Sequence, residues 1–155
     1  MADVKEIAKG IRNILIDCDG VLTDGKLYID HDGRKSFKAF HTRDVRAIRE
    51  LVSLGFAVHI ITADDWPGSV HFAEKTGAEV IVSRDKKLDA SKYSPYIAIG
   101  DDAWDVGMLL NARIAFAPGD CDFSVLDLCL PPSSYLKTKA GQGVVAEMLR
   151  VLCRQ

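Results

Sequence analysis

Several things are missing from this sequence, and each absence removes a class of protein. No stretch approaches the ~18 to 20 consecutive apolar residues that a membrane-spanning helix needs. No charge of one sign dominates: 20 Lys and Arg stand against 22 Asp and Glu, a formal net charge of −2. That balance gives no electrostatic footprint for nucleic acid or an anionic membrane, although a local basic pocket for a small anion stays open. Cysteine is sparse and unpatterned. Cys18, Cys121, Cys129 and Cys153 include no C-x-x-C pair and no ladder typical of a small secreted protein. Free thiols in a cytoplasmic protein are the expectation, with Cys18 a buried small residue between two aspartates. The N-terminal MADVKEIAKGIRN mixes charges of both signs and has no apolar core, so no signal peptide is expected there. Internal repeats, low-complexity tracts and linkers are also lacking. A chain of 155 residues, 48% hydrophobic and 27% charged, is expected to fold as one soluble domain over 1–155.

What is present is an alternation. Residues 14–18 (ILIDC), 57–62 (AVHIIT), 79–82 (EVIV), 96–100 (YIAIG) and 113–117 (RIAFA) are short apolar runs that read as buried strands. Between them lie helical spacings. In 44–54, Val45, Ile48, Leu51 and Val52 share one face and Gly55 is a natural stop. Residues 67–76 open on Pro67 and end before Gly77, and 103–111 and 143–153 are further helix candidates. Alternating strands and helices predict an α/β fold, a Rossmann-like three-layer sandwich with a mostly parallel central sheet. Residues 26–40 interrupt the pattern. They read as a β-hairpin with Asp32-Gly33 at its turn, placed after the first strand, where loops of such sheets carry function. The connection from Lys87 to Tyr96 is short and limited by Pro95, so one covering helix is expected to shrink to a turn.

Chemistry concentrates at the strand ends. Asp17-Cys18-Asp19-Gly20 places two carboxylates two residues apart, where strand alternation would aim both at one crevice. Such a pair calls for a cation or a proton between them, and Mg²⁺ suits a site with hard oxygen ligands that also holds phosphate. Gly100-Asp101-Asp102, with Asp105, brings more acid to another strand end. The same residues also serve as ordinary turn and helix-capping groups. Thr62 offers a hydroxyl at the end of the second strand, and the Lys86-Lys87 pair offers an ammonium for a phosphate.

In this order the motifs resemble the haloacid dehalogenase (HAD) superfamily of phosphohydrolases, over roughly residues 11–153. Within it the chain is similar to the capless 3-deoxy-D-manno-octulosonate 8-phosphate phosphatase family. That closer resemblance is carried by DCDGVLTDGKLYI at 17–29, FHTRD at 40–44, GDD at 100–102 and AGQGVV at 140–145. It implies that Asp17 is the nucleophile and Asp19 the acid and base. Mg²⁺ would be held by the Asp17 and Asp101 carboxylates and the Asp19 backbone carbonyl. Thr62 and Lys87 would bind the phosphoryl group, with Lys86 the alternative if the register slips by one. Arg43 would contact the substrate, and Asp102 and Asp105 would orient water or the lysine. A homotetramer is implied too, closed by the hairpin and a neighbour's C-terminal tail (about 131–155).

Three departures bear on the substrate. Ala63-Asp64 stands where the family commonly has Gly-Arg, Asp44-Val45 where it has Asp-Gly, and Gln142 where it has Arg. Lost guanidinium groups, with Asp64 adding negative charge, argue against tight binding of an acidic sugar. The expected activity is therefore phosphomonoester hydrolysis on a small phosphorylated sugar or sugar acid. The alternatives are a nucleotide or another phosphosugar, a catalytically idle HAD-fold assembly module, and transfer to an acceptor other than water. Among the histidines, His41 is a candidate for leaving-group contact and His59 for a packed strand position. Trp66 and Trp104 are candidates for the crevice mouth.

Overall fold

In the computed structural model, which describes residues 9–128, 130 and 134–153, a five-stranded sheet runs in the order β5-β4-β1-β6-β7. The start of the N-terminal segment and Cys129, both read above, lie outside the described residues. The strands are β1 (Asn13–Asp17), β4 (Ala57–Thr62), β5 (Glu79–Val82), β6 (Tyr96–Ile99) and β7 (Ile114–Phe116), and every pairing among them is parallel. The remaining strands, β2 (Tyr28–Ile29) and β3 (Lys35–Phe37), form a separate antiparallel hairpin. Strand order reverses around β1, between β4 and β6, which brings the carboxyl ends of these three strands together.

Side-chain alternation splits the core in two. Ile14, Ile16, Val58, Ile60, Ile97 and Ile99 face one layer, while Leu15, Ile61, Tyr96 and Ala98 face the other. The first layer is covered by α1 (Thr42–Ser53), α2 (Pro67–Thr76) and α6 (Val144–Cys153), through Ile48, Leu51, Phe72, Val145 and Met148. The second is covered by α3 (Lys86–Ser91), α4 (Val106–Asn111) and α5 (Phe123–Leu126), through Ala90, Met108, Leu109 and Val125. The expected three-layer sandwich is thus the observed one. The segment after Lys87 is more than a turn. The Asp85 carboxylate accepts from the Leu88 N–H at 3.0 Å, caps a six-residue α3, and Ala90 reaches the core.

Between β1 and α1 the chain inserts only an irregular turn over Cys18–Leu22 and the hairpin, so no cap domain stands there. The hairpin turn is closed by the Asp30 carboxylate, which accepts from the N–H groups of Asp32 and Arg34. Tyr28 and Phe37 stack with ring centroids 4.6 Å apart. The AGQGVV segment that precedes α6 packs against the first motif. Gly141 has φ +69°, and a Cβ there would lie 2.6 Å from the Asp24 nitrogen, so only glycine fits. Asp44, wholly buried in the first turn of α1, accepts from the Ala146 N–H at 3.1 Å and so caps α6 from 102 residues away.

Candidate active site

The site opens where β1, β4 and β6 end, in a cleft of about 410 Å³ lined in part by Asp17, Asp19, Thr62, Lys86 and Asp102. Asp17 is the last residue of β1 and is 4% exposed. Asp105, fully buried at the start of α4, accepts from the N–H of Asp101 at 2.9 Å and of Asp102 at 3.3 Å. It thereby fixes the Gly-Asp-Asp turn after β6. Asp17, Asp101 and Asp105 offer carboxylate oxygens within 4.8 Å of one another.

A single ammonium sits among them. Lys86 Nζ bonds the Asp17 carboxylate and, at 2.7 Å, that of Asp105. Burial works against the Lys86 charge, but Asp17 and Asp105 outweigh it and raise its pKa. Three carboxylates against one ammonium leave an excess of two negative charges. The excess is felt electrostatically. Burial first, then the neighbouring Asp105, push Asp17 well above the usual carboxylate range despite Lys86. Burial, then Asp105 and Asp102, push Asp101 up to about 7. Asp101 Oδ1 is buried and has no hydrogen-bond partner. A hard divalent cation fits this donor set: oxygen ligands only, an orphaned buried carboxylate oxygen, and the missing charge. Gly20 keeps the approach open. Its φ is +94°, and a Cβ there would fall 2.0 Å from Asp101 Oδ2.

Asp19 lines the same cleft, yet its carboxylate leaves the cluster. Lys38 Nζ, from the residue after β3, bonds it at 2.8 Å. Both Asp-x-Asp residues line one crevice, as expected, but their carboxylates do not share a cluster there: Asp17 bonds Lys86 and Asp19 bonds Lys38. The strand itself ends at Asp17; Asp19 keeps an extended backbone (φ −85°, ψ 114°), and Gly20, at φ 94°, turns the chain away. Lys38, whose side chain is 4% exposed, also bonds Asp64 at 2.8 Å, and Lys35 bonds Asp64 as well. Against burial, Lys35 and Lys38 hold Asp64 below the usual carboxylate range. The negative charge that sequence placed after Thr62 is therefore taken up by the hairpin, which it ties to the end of β4.

Thr62 is 2% exposed at the cleft floor, and its hydroxyl oxygen accepts from the Asp64 N–H at 3.1 Å, leaving the O–H to donate. Lys87 is not in the cleft. It is exposed, packed beside Gly107, because the Asp85 cap sets the first turn of α3 so that Lys86 enters and Lys87 faces out. Arg43 is exposed on α1, close to Gly143, and does not line this chain's cleft. The His41 ring accepts from the Arg43 N–H at 3.1 Å and caps α1. His59 is buried in β4 against Tyr93, with ring centroids 4.3 Å apart. Trp104, 73% exposed, lines the cleft, and Trp66 lies 5.7 Å from Lys38 Nζ. Arg84 and Ser83 also line the cleft, and sequence reasoning passed over both. Their only signal was their position after a strand and before the lysine pair. No described helix is long and apolar enough to cross a membrane.

No protein-family model matches the chain. It is 29% identical over 164 residues to the 3-deoxy-D-manno-octulosonate 8-phosphate phosphatase KdsC of Escherichia coli, covering 97% of this chain and 84% of that one. A crystal structure of the same-named phosphatase from Yersinia pestis is 28% identical, with a TM-score of 0.82 over 97% of this chain and 85% of that one. The Moraxella catarrhalis phosphatase, solved with magnesium, phosphate and KDO, shares the fold with a TM-score of 0.84 at 23% identity, over 98% and 91% of the two chains.

Proposed function

We propose that this chain, a KdsC-like phosphatase of the haloacid dehalogenase superfamily, is a single-domain, magnesium-dependent hydrolase of a small phosphorylated sugar or sugar acid. The observation that carries the reading is the buried cluster of Asp17, Asp101 and Asp105 around Lys86, two positive charges short, at the end of the strand that holds the nucleophile.

Asp17 attacks phosphorus and the ester oxygen departs, leaving an aspartyl-phosphate. Lys86 fixes the Asp17 carboxylate and offsets charge on the transferring group. Thr62 donates its hydroxyl to a phosphoryl oxygen. Asp19 hands a proton to the leaving alkoxide and then takes one from the water that frees phosphate. Its place in the cleft lining, bonded to Lys38 beside the hairpin rather than to the Asp17 cluster, supports that role. A Mg²⁺ ion, held by the Asp17 and Asp101 carboxylates and the Asp19 backbone carbonyl, supplies charge neutralisation between nucleophile and phosphate when bound. Positioning and electrostatics dominate such a transfer, and these residues provide both.

The exposed apolar side chains of the hairpin, Leu27, Ile29 and Phe37, support assembly with copies of the chain, which we read as a cytoplasmic homotetramer. Phosphate release from a panel of phosphosugars, sugar-acid phosphates and nucleotides, with and without Mg²⁺, tests the function. Turnover of a sugar or sugar-acid phosphate that EDTA abolishes is the expected result. Preference for a nucleotide would move the substrate class, and inactivity on every ester would favour an idle assembly module.

A further inference from the structure

We infer that Arg84 is a specificity-determining residue whose guanidinium receives a carboxylate on the leaving group of the phosphate ester bound at Asp17. The inference rests on the phosphatase reading above and adds a second anchor to it. Arg84 lines the same cleft as Asp17 and Thr62 and is exposed to it.

Its backbone is fixed from both sides. The N–H of Ser83, one residue before, donates to the Thr62 carbonyl at 2.8 Å. Two residues after, Lys86 is bonded to Asp17. Asp85 between them caps α3. The loop thus ties Arg84 to both ends of the phosphate site while its side chain stays uncommitted.

The other cations around the cleft are spoken for. Lys86 serves Asp17 and Asp105, Lys35 serves Asp64, and Lys38 serves Asp19 and Asp64. Among the described residues no carboxylate pairs with Arg84. A planar guanidinium with an open fork matches a carboxylate by two parallel hydrogen bonds. A second phosphate fits less well. Its two charges would be only half met by one arginine, with Asp102 also lining the cleft. Trp104, 73% exposed on the cleft wall, gives the carbon skeleton between the two anions an apolar face to lie on.

The test compares matched esters that differ only in the carboxylate: 3-phosphoglycerate with glycerol 3-phosphate, and 6-phosphogluconate with sorbitol 6-phosphate. With Mg²⁺ present, the wild type should prefer the acid of at least one pair. Arg84→Ala should lower kcat/KM for that acid on the order of 10- to 100-fold, mainly through KM, and leave its neutral partner within about threefold. Arg84→Lys, which keeps the charge but not the fork, should fall between. Equal loss on both members of the pair, no loss on either, or a wild type indifferent to the carboxylate would each overturn the assignment and leave the phosphatase reading standing. A wild type that cleaves no ester at all overturns the phosphatase reading, and this assignment with it.

Discussion

Replacing Lys86 by methionine removes the one ammonium from a buried group of three carboxylates. Asp17 is 4% exposed and Asp105 not at all, so water cannot stand in for the lost partner. Removing one side of a buried ion pair typically costs about 3–5 kcal/mol, because the other charge is left uncompensated. For a domain of this size each kcal/mol moves the melting temperature by roughly 2–4 °C, so Lys86→Met should unfold about 6–20 °C below the wild type in EDTA. Millimolar Mg²⁺ should recover part of that loss, since a cation bound only by the folded state stabilises it by mass action. Phosphate release should disappear. The exposed Lys87 supplies the control: Lys87→Met should change stability by no more than about 0.5 kcal/mol and keep its activity. Thermal unfolding by circular dichroism and a phosphate-release assay read all five quantities. A Lys86→Met protein that melts with the wild type in EDTA, or a Lys87→Met protein that alone loses turnover, refutes the reasoning.

Two further perturbations probe neighbouring parts. Gly20→Ala forces a Cβ to 2.0 Å from Asp101 Oδ2 at a φ of +94°, so it should lose about 1–3 kcal/mol in urea unfolding and bind Mg²⁺ more weakly by calorimetry. Asp44, buried under α6, has its carboxyl pushed from 3.8 up to about 6, by burial against the opposing backbone donors at Ala146, Val145 and Gly143. A raised carboxyl favours the fold while protonated: its contribution is fully present below 3.8 and lost as pH rises through about 6. Relative to Asp44→Asn, the wild type should therefore gain up to about 3 kcal/mol as the pH falls from about 7 to about 4. Parallel denaturation midpoints for the two proteins across that range would contradict it.

The layer architecture was legible because local signals agreed with the global fold. Strands β4 and β5 match the expected apolar runs residue for residue, and α2 runs from Pro67 to the left-handed Gly77 as its punctuation predicts. The first helix starts earlier than its apolar spacing suggests, because its cap is the His41 ring rather than a serine or aspartate. Facts that depend on three-dimensional placement were not readable. Lys86 and Lys87 are chemically equal in sequence, and only the Asp85 cap decides which one enters the site. Asp105 was expected to orient water or the lysine, but that it also pins the Asp101 N–H while bonding Lys86 follows only from the fold of the turn after β6. Asp64 looked like unwelcome charge until Lys35 and Lys38 arrived from a hairpin more than twenty residues away. The FHTRD and AGQGVV segments were recognisable as motifs, but their shared purpose rests on the Asp44 to Ala146 bond across the tertiary fold.

The decisive measurement is a single-turnover acid quench with a cleaved phosphate ester and Mg²⁺, followed by mass spectrometry of the peptide that contains Asp17. A phosphoryl adduct on that residue, absent in EDTA and absent in a folded Asp17→Asn protein that no longer releases phosphate, is the predicted outcome. Release of phosphate that persists undiminished in Asp17→Asn would contradict it.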